Sequence, residues 1–277
     1  MGPGRDGVRR GRSRAAGQGD RAGPGPRHDR GPSGRDVRKA ARQHGDRKLR
    51  GGDPGVKAAV LVFPGSNCDR DLAVAFRAAG FEVSMVWHKD TDLPAATDLV
   101  GIPGGFSYGD YLRCGAIAAG SPIMGAVRAH AEKGGYVLGI CNGFQVLCET
   151  RLLPGVLMRN AGLKFVCRAQ GLAVATTDSA FTGGYRDDMT ITVPIAHHDG
   201  NYQIDPGGLA RLQAEDRIAF TYTGNPNGSV ADIAGVLSEN RRVLGMMPHP
   251  ERAIEPEQGS ADGRALFDAL AAALVAA

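Results

Sequence analysis

From Val56 onward the chain alternates between two periodicities. Residues 58–63 (Ala-Ala-Val-Leu-Val-Phe) form a continuous apolar run closed by Pro64-Gly65-Ser66-Asn67, the pattern of a strand buried on both faces. Residues 69–79 then place Leu72, Ala73, Ala75, Phe76 and Ala79 on one face at helical spacing, closed by Gly80. Strands are predicted at 81–87 and 98–102, the second running into the turn Pro103-Gly104-Gly105. A helix is predicted over 116–133, ended by Gly134-Gly135; a strand follows over 136–140, and a further helix starts near Gly143. Strands alternating with helices imply an open, mostly parallel sheet covered on both faces. From 153 to about 244 the runs shorten and alternate, as at 189–195 and 218–222, and read as antiparallel strands added to that sheet. A strand over 243–247 and an amphipathic helix over 260–276 close the chain. The expected fold class is α/β: a single three-layer α/β/α domain, its central sheet mostly parallel with added antiparallel strands.

Composition changes that picture at one end. Of 277 residues, 33 are Lys or Arg and 29 Asp or Glu, for a net charge of +4. Residues 1–55 alone hold 15 of the basic side chains against 6 aspartates, with 14 glycines, 5 prolines and no aromatic residue. Such a segment buries too little apolar surface to offset its chain entropy, so 1–55 is expected to be a disordered basic tail. Residues 56–277 then form one acidic globular domain. Gly2-Pro3-Gly4-Arg5-Asp6-Gly7 matches a dinucleotide fingerprint, but no strand precedes it and no helix follows. No phosphate-binding GxxxxGK[ST] loop occurs anywhere, and no run approaches eighteen apolar residues, so neither an ATP cradle nor a membrane span is expected. The five cysteines (Cys68, Cys114, Cys141, Cys148, Cys167) are odd in number and never form CxxC, which argues against a disulfide framework and a structural metal, and for a reducing cytoplasm.

Gly139-Ile140-Cys141-Asn142-Gly143 is the pattern that carries chemistry. It has the form G-x-nucleophile-x-G between a predicted strand and a predicted helix. A sharp strand-to-helix turn crowds the nucleophile, so small residues must flank it two positions either side. It also throws the side chain up at the carboxyl edge of the sheet, with a helix N-terminus aimed at the sulfur. A cysteine nucleophile needs a base and a group to orient that base. His249 follows the strand 243–247 within Met247-Pro248-His249-Pro250-Glu251-Arg252, and in an extended chain Glu251 projects to the same side. Cys141, His249 and Glu251 therefore read as a catalytic triad. An oxyanion hole needs two N–H donors; Asn142, just after the nucleophile, supplies one, and the Gly104-Gly105 turn on another strand's carboxyl end is the natural second source.

With these residues in place, the chain resembles the class I (triad) glutamine amidotransferases, and within them the free-standing glutaminase subunit of phosphoribosylformylglycinamidine synthase. The resemblance rests on Gly139 to Gln145, on His249-Pro250-Glu251, and on four further stretches. They are Phe63 to Asp69, Gly104 to Gly115, Asn225-Pro226-Asn227-Gly228-Ser229, and Gly245 to Arg252. It covers Val56 to the C-terminus and implies a flavodoxin-like amidotransferase fold. It further implies hydrolysis of L-glutamine to glutamate and ammonia through a Cys141 thioester. Ammonia would pass to a large ATP-dependent synthetase subunit, with a small accessory subunit in the same complex. By position, His249 is the base, Glu251 its orienter, and the amides of Gly105 and Asn142 the oxyanion hole. Gly104, Phe106 and Gln145 line the substrate pocket, although Gln145 on a first helical turn also reads as a cap. No cofactor or metal is expected on this chain, with ATP and Mg assigned to the synthetase.

The resemblance also has gaps. At Ala196-His197-His198-Asp199-Gly200 the family more often has glycine and glutamate after the first histidine, so this segment stays outside the expected catalytic set. Residues 1–55 have no counterpart in the family, and Val56 is the expected start of the native protein, which the intact mass would test. Two other readings remain: a related amidotransferase serving another synthase, and non-specific nucleic-acid binding through the basic tail. The acidic domain, poor in aromatics, argues against nucleic acid.

Overall fold

A computed structural model describes residues 55–276. The expected basic tail and the proposed upstream boundary lie almost wholly outside the described residues. Within them the strands are β1 (Lys57–Val62), β2 (Glu82–Trp87), β3 (Leu99–Ile102), β4 (Tyr136–Ile140), β5 (Val156–Met158), β6 (Val166–Val174), β7 (Thr190–His197), β8 (Asn201–Gln203), β9 (Ile218–Tyr222), β10 (Ile233–Leu237) and β11 (Val243–Met246). The α-helices are α1 (Asp69–Ala78), α2 (Ala116–Ala119), α3 (Ile123–Glu132), α4 (Asn142–Glu149), α5 (Pro206–Ala214) and α6 (Arg264–Val275).

Nine strands form one sheet in the order β2-β1-β3-β4-β11-β10-β9-β6-β7. The first five run parallel and the remaining pairings are antiparallel, as the change of periodicity after residue 153 predicts. Gly101 of β3 faces Phe76 and Leu72 of α1, whereas Gly139 of β4 faces Leu147 of α4. Ile102, not Gly101, pairs with Gly139. Paired residues point the same way and successive ones alternate, so α1 and α4 cover opposite faces. The three-layer α/β/α arrangement follows. Helix α6 joins α1 on its face, with the Phe76 and Phe267 rings 5.7 Å apart.

Three local expectations are corrected. The helix predicted over 116–133 is two helices, α2 and α3, separated at Gly120-Ser121-Pro122, because Pro122 brings no N–H to continue the ladder. Helix α5 was hidden by Gly207-Gly208, which reads as a turn. Asp205 caps it by accepting the Gly208 N–H, and Pro206 occupies its first position. Strands β5 and β8 do not join the main sheet but pair with each other. Strand β11, predicted as a strand with no partner named, lies parallel to β4, in register from Val243↔Val137 to Met246↔Ile140. No helix among the described residues is long and apolar enough to cross a membrane.

Candidate active site

Strands β3, β4 and β11 are neighbours running the same way, so their carboxyl ends deliver three turns to one edge. Each turn carries part of the expected machinery: Pro103-Gly104-Gly105 after β3, Cys141 after β4, and His249 after β11. Cys141 adopts φ 53°, ψ −107°, a backbone state that costs a non-glycine residue roughly 1–3 kcal/mol. Its N–H is held by Met246 O at 2.8 Å. A side chain on Gly139 would come within 2.7 Å of Gly143 O, and one on Gly143 would collide with Ile102 O. The glycine at each side of the nucleophile is therefore a steric requirement of the turn, as expected.

His249 is 2% exposed and its Nδ1 lies 2.7 Å from Glu251 Oε1, itself 1% exposed. The contact expected between them exists, but not through extended chain. Pro250–Arg252 forms a short 3₁₀ turn, and the turn, with Pro250 holding its first position, brings the carboxylate back onto the imidazole. Burial opposes the charged imidazolium. Glu251, Cys141 and Cys68 outweigh it, holding His249 well above the usual histidine range. Nδ1 being committed to Glu251, Nε2 is the nitrogen free to exchange a proton, and it has no hydrogen-bond partner among the described residues. The Cys141 thiol rests toward Ala196 O at 3.7 Å.

Gly104 explains how closely these groups approach. A Cβ there would stand 2.8 Å from His249 Cε1, 3.3 Å from Cys141 Cβ and 3.3 Å from Cys68 Sγ. Gly105 has φ +130°, and the N–H of Phe106 is spent on Gly65 O at 3.1 Å. The Gly105 and Asn142 N–H groups, unlike that of Phe106, have no acceptor among the described residues. The Phe106 ring is half exposed beside them.

Gln145 does not cap its helix. Its Oε1 accepts from Asn142 Nδ2 at 2.7 Å and its Nε2 donates to Asp199 O at 2.7 Å. Asn142 Oδ1 accepts the Ser107 N–H at 3.3 Å, and its Nδ2 also reaches Asp110 Oδ1 at 3.4 Å. The segment left outside the catalytic set borders the site: Ala196 O meets the thiol and Asp199 O holds Gln145, while Pro194 O, just before the segment, receives the His249 N–H at 2.9 Å. His197 is buried, with Nδ1 against Asn160 Oδ1 at 3.1 Å; burial first, then the charge on His249, pushes it down to about 4. Cys68 and Arg252 are further neighbours that spacing did not reveal. Arg252 bonds Asp71 of α1 at 2.8 Å and Cys68 Sγ at 3.2 Å, tying the triad's turn to α1. Cys68 lies 73 positions from Cys141, and only the sheet order brings them together.

Comparisons with known proteins show the family. A family model described as a CobB/CobQ-like glutamine amidotransferase domain matches residues 55–266. The phosphoribosylformylglycinamidine synthase subunit PurQ of Jannaschia sp. (strain CCS1) is 75% identical over 222 residues, covering 80% of this chain and 100% of the relative. The chain belongs to the PurQ family of glutamine amidotransferases. The PurQ subunit of Ruegeria sp. (strain TM1040) is 69% identical over 219 residues, covering 79% of this chain and 99% of its own length. Among solved structures, PurLQS from Thermotoga maritima superposes with a TM-score of 0.74 at 42% identity, covering 80% of this chain and all of that one. The chain is accordingly an enzyme, the glutaminase subunit of phosphoribosylformylglycinamidine synthase, in purine biosynthesis.

Proposed function

We propose that Cys141, His249 and Glu251 carry out the glutaminase reaction at the carboxyl edge of the parallel strands. The observation that supports this most is the buried His249–Glu251 pair beside a cysteine held at φ 53°. After a small rotation of its side chain toward His249, Cys141 attacks the carboxamide carbon of glutamine. His249 Nε2 takes the thiol proton before the attack, standing as imidazolium beside the thiolate, and returns it to the leaving ammonia. Glu251 keeps the proton on Nδ1 and balances the imidazolium. The amides of Gly105 and Asn142 receive the oxyanion, each worth roughly 3 kcal/mol of barrier. Water then releases glutamate from the thioester. Gln145, Gly104 and Phe106 surround the substrate, Gln145 being held for that role from both ends of its amide.

Ammonia passes to the synthetase subunit, with which this chain and a small accessory subunit form a complex in the cytoplasm. ATP and Mg belong to that partner, and the reading calls for no cofactor or metal here. The test is Cys141→Ala in the reconstituted complex. Glutamine-dependent synthesis is expected to disappear while ammonium-dependent synthesis persists. Continued use of glutamine as nitrogen donor would refute the mechanism.

A further inference from the structure

The sulfur of Cys68 has no part in the mechanism above, yet it lies at the centre of the site. Cys68 precedes the first residue of α1, and its N–H bonds Gly104 O at 3.3 Å. Cys141 stands in the same place relative to α4. The point where a Cβ of residue 104 would sit is 3.3 Å from Cys68 Sγ, 3.3 Å from Cys141 Cβ and 2.8 Å from His249 Cε1. Both cysteines therefore border the space that the missing side chain of Gly104 leaves open. Donor atoms of Cys68, His249 and Glu251 also lie within 4.8 Å of one another, which suggests a metal site. Charge argues against it: the Arg252 guanidinium donates to Cys68 Sγ at 3.2 Å, and the imidazole at its other side favours the protonated form. Two cationic neighbours repel a metal ion.

We propose that Cys68 and Cys141 form a site of reversible oxidative modification by peroxides, with Cys68 as the resolving thiol. Cys141 is 6% exposed and must admit glutamine, whereas Cys68 is 2% exposed, so peroxide meets Cys141 first. The Cys141 thiolate attacks one peroxide oxygen; the O–O bond breaks, hydroxide leaves, and Cys141 becomes a sulfenic acid. The Cys68 thiolate then attacks the sulfenic sulfur, the S–O bond breaks, a second hydroxide leaves, and the disulfide forms. Two thiols are oxidised by two electrons and one peroxide is reduced. The disulfide stops glutamine hydrolysis but shields Cys141 from irreversible sulfinic oxidation, and a dithiol restores both sulfurs. The loss of activity on cross-linking rests on Cys141 being the nucleophile; the cross-link itself does not.

The test is peptide mapping of the full chain after hydrogen peroxide, without reduction. A linked peptide containing Cys68 and Cys141, two hydrogens lighter than the free thiols, is expected. It should vanish with dithiothreitol as glutamine hydrolysis returns. In Cys68→Ser and Cys68→Ala the same dose should leave no linked peptide, sulfinic acid at Cys141, and loss of activity that dithiothreitol does not reverse. Absence of the linked peptide from the wild type, pairing of Cys141 with another cysteine, or equal recovery in the Cys68 variants overturns the proposal. If Cys141→Ala abolishes hydrolysis and the wild type still does not cross-link, this inference fails while the mechanism stands.

Discussion

Glu251 sets how His249 titrates, because it is a buried carboxylate 2.7 Å from an otherwise costly buried cation. A histidine raised above its ordinary value of 6.5 keeps its proton below that pH and loses it only as the pH climbs through the higher folded value. Glu251→Gln removes the main opposing charge. Its alkaline limb in kcat/KM should therefore move to lower pH, with kcat/KM falling on the order of 10²-fold at neutral pH. A pH profile of glutamine hydrolysis checks both; an unmoved limb would detach Glu251 from the imidazole. Gln145→Ala leaves Asn142 Nδ2 and Asp199 O without their bonds at 2.7 Å, so KM for glutamine should rise with ammonium-dependent synthesis unchanged. Steady-state kinetics with each nitrogen donor tests this. At this scale Cys141, His249 and Glu251 were legible because each sits in a short local pattern, whereas Gln145 came only from the family resemblance. The neighbours Cys68, Asp199 and Arg252 were not, since their proximity depends on distant chain.

The parallel trio β3, β4 and β11 turns three separate loops into one site. Each element was predicted near its observed bounds, but periodicity cannot tell which strand lies beside which. Nothing local states that residues 243–246 pair with 137–140, and that pairing seats His249 beside Cys141. The turn between β4 and α4 has no slack where Gly143 meets backbone at Ile102 O. Gly143→Ala should cost about 2–3 kcal/mol, the range for overpacking against an unyielding neighbour. It should also abolish glutamine hydrolysis by displacing Cys141. Urea unfolding and activity together check this: a stable, active variant would show that the turn yields. Elements went astray where one local cue masked another: Pro122 splits a continuous apolar pattern, and the Gly207-Gly208 pair conceals a capped helix.

Acid stability of the described domain follows from its buried histidines. His197, pushed from 6.5 to about 4, and His130, lowered by burial, are neutral when folded and protonate readily when unfolded. Their contribution is present above pH 6.5 and is lost as the pH falls toward the folded values, on the order of 3 kcal/mol for His197 by pH 4. Unfolding free energy measured from pH 7 to 4 should decline, and less steeply in His197→Gln; an identical slope would remove His197 from the account. The net charge of +4 joins a segment carrying 15 basic and 6 acidic residues to an acidic remainder, so it describes neither. The amino-acid order alone determined the α/β/α class, the glycine-flanked turn at Cys141 and the residues proposed as the triad, because those features are written in periodicity, in small residues around a crowded turn and in contacts two residues apart. Only the tertiary structure decided that β11 lies against β4, that a 3₁₀ turn rather than extended chain joins His249 to Glu251, and that Cys68 and Cys141 both border Gly104. These depend on strand order and backbone direction, which arise from packing between segments far apart in the chain.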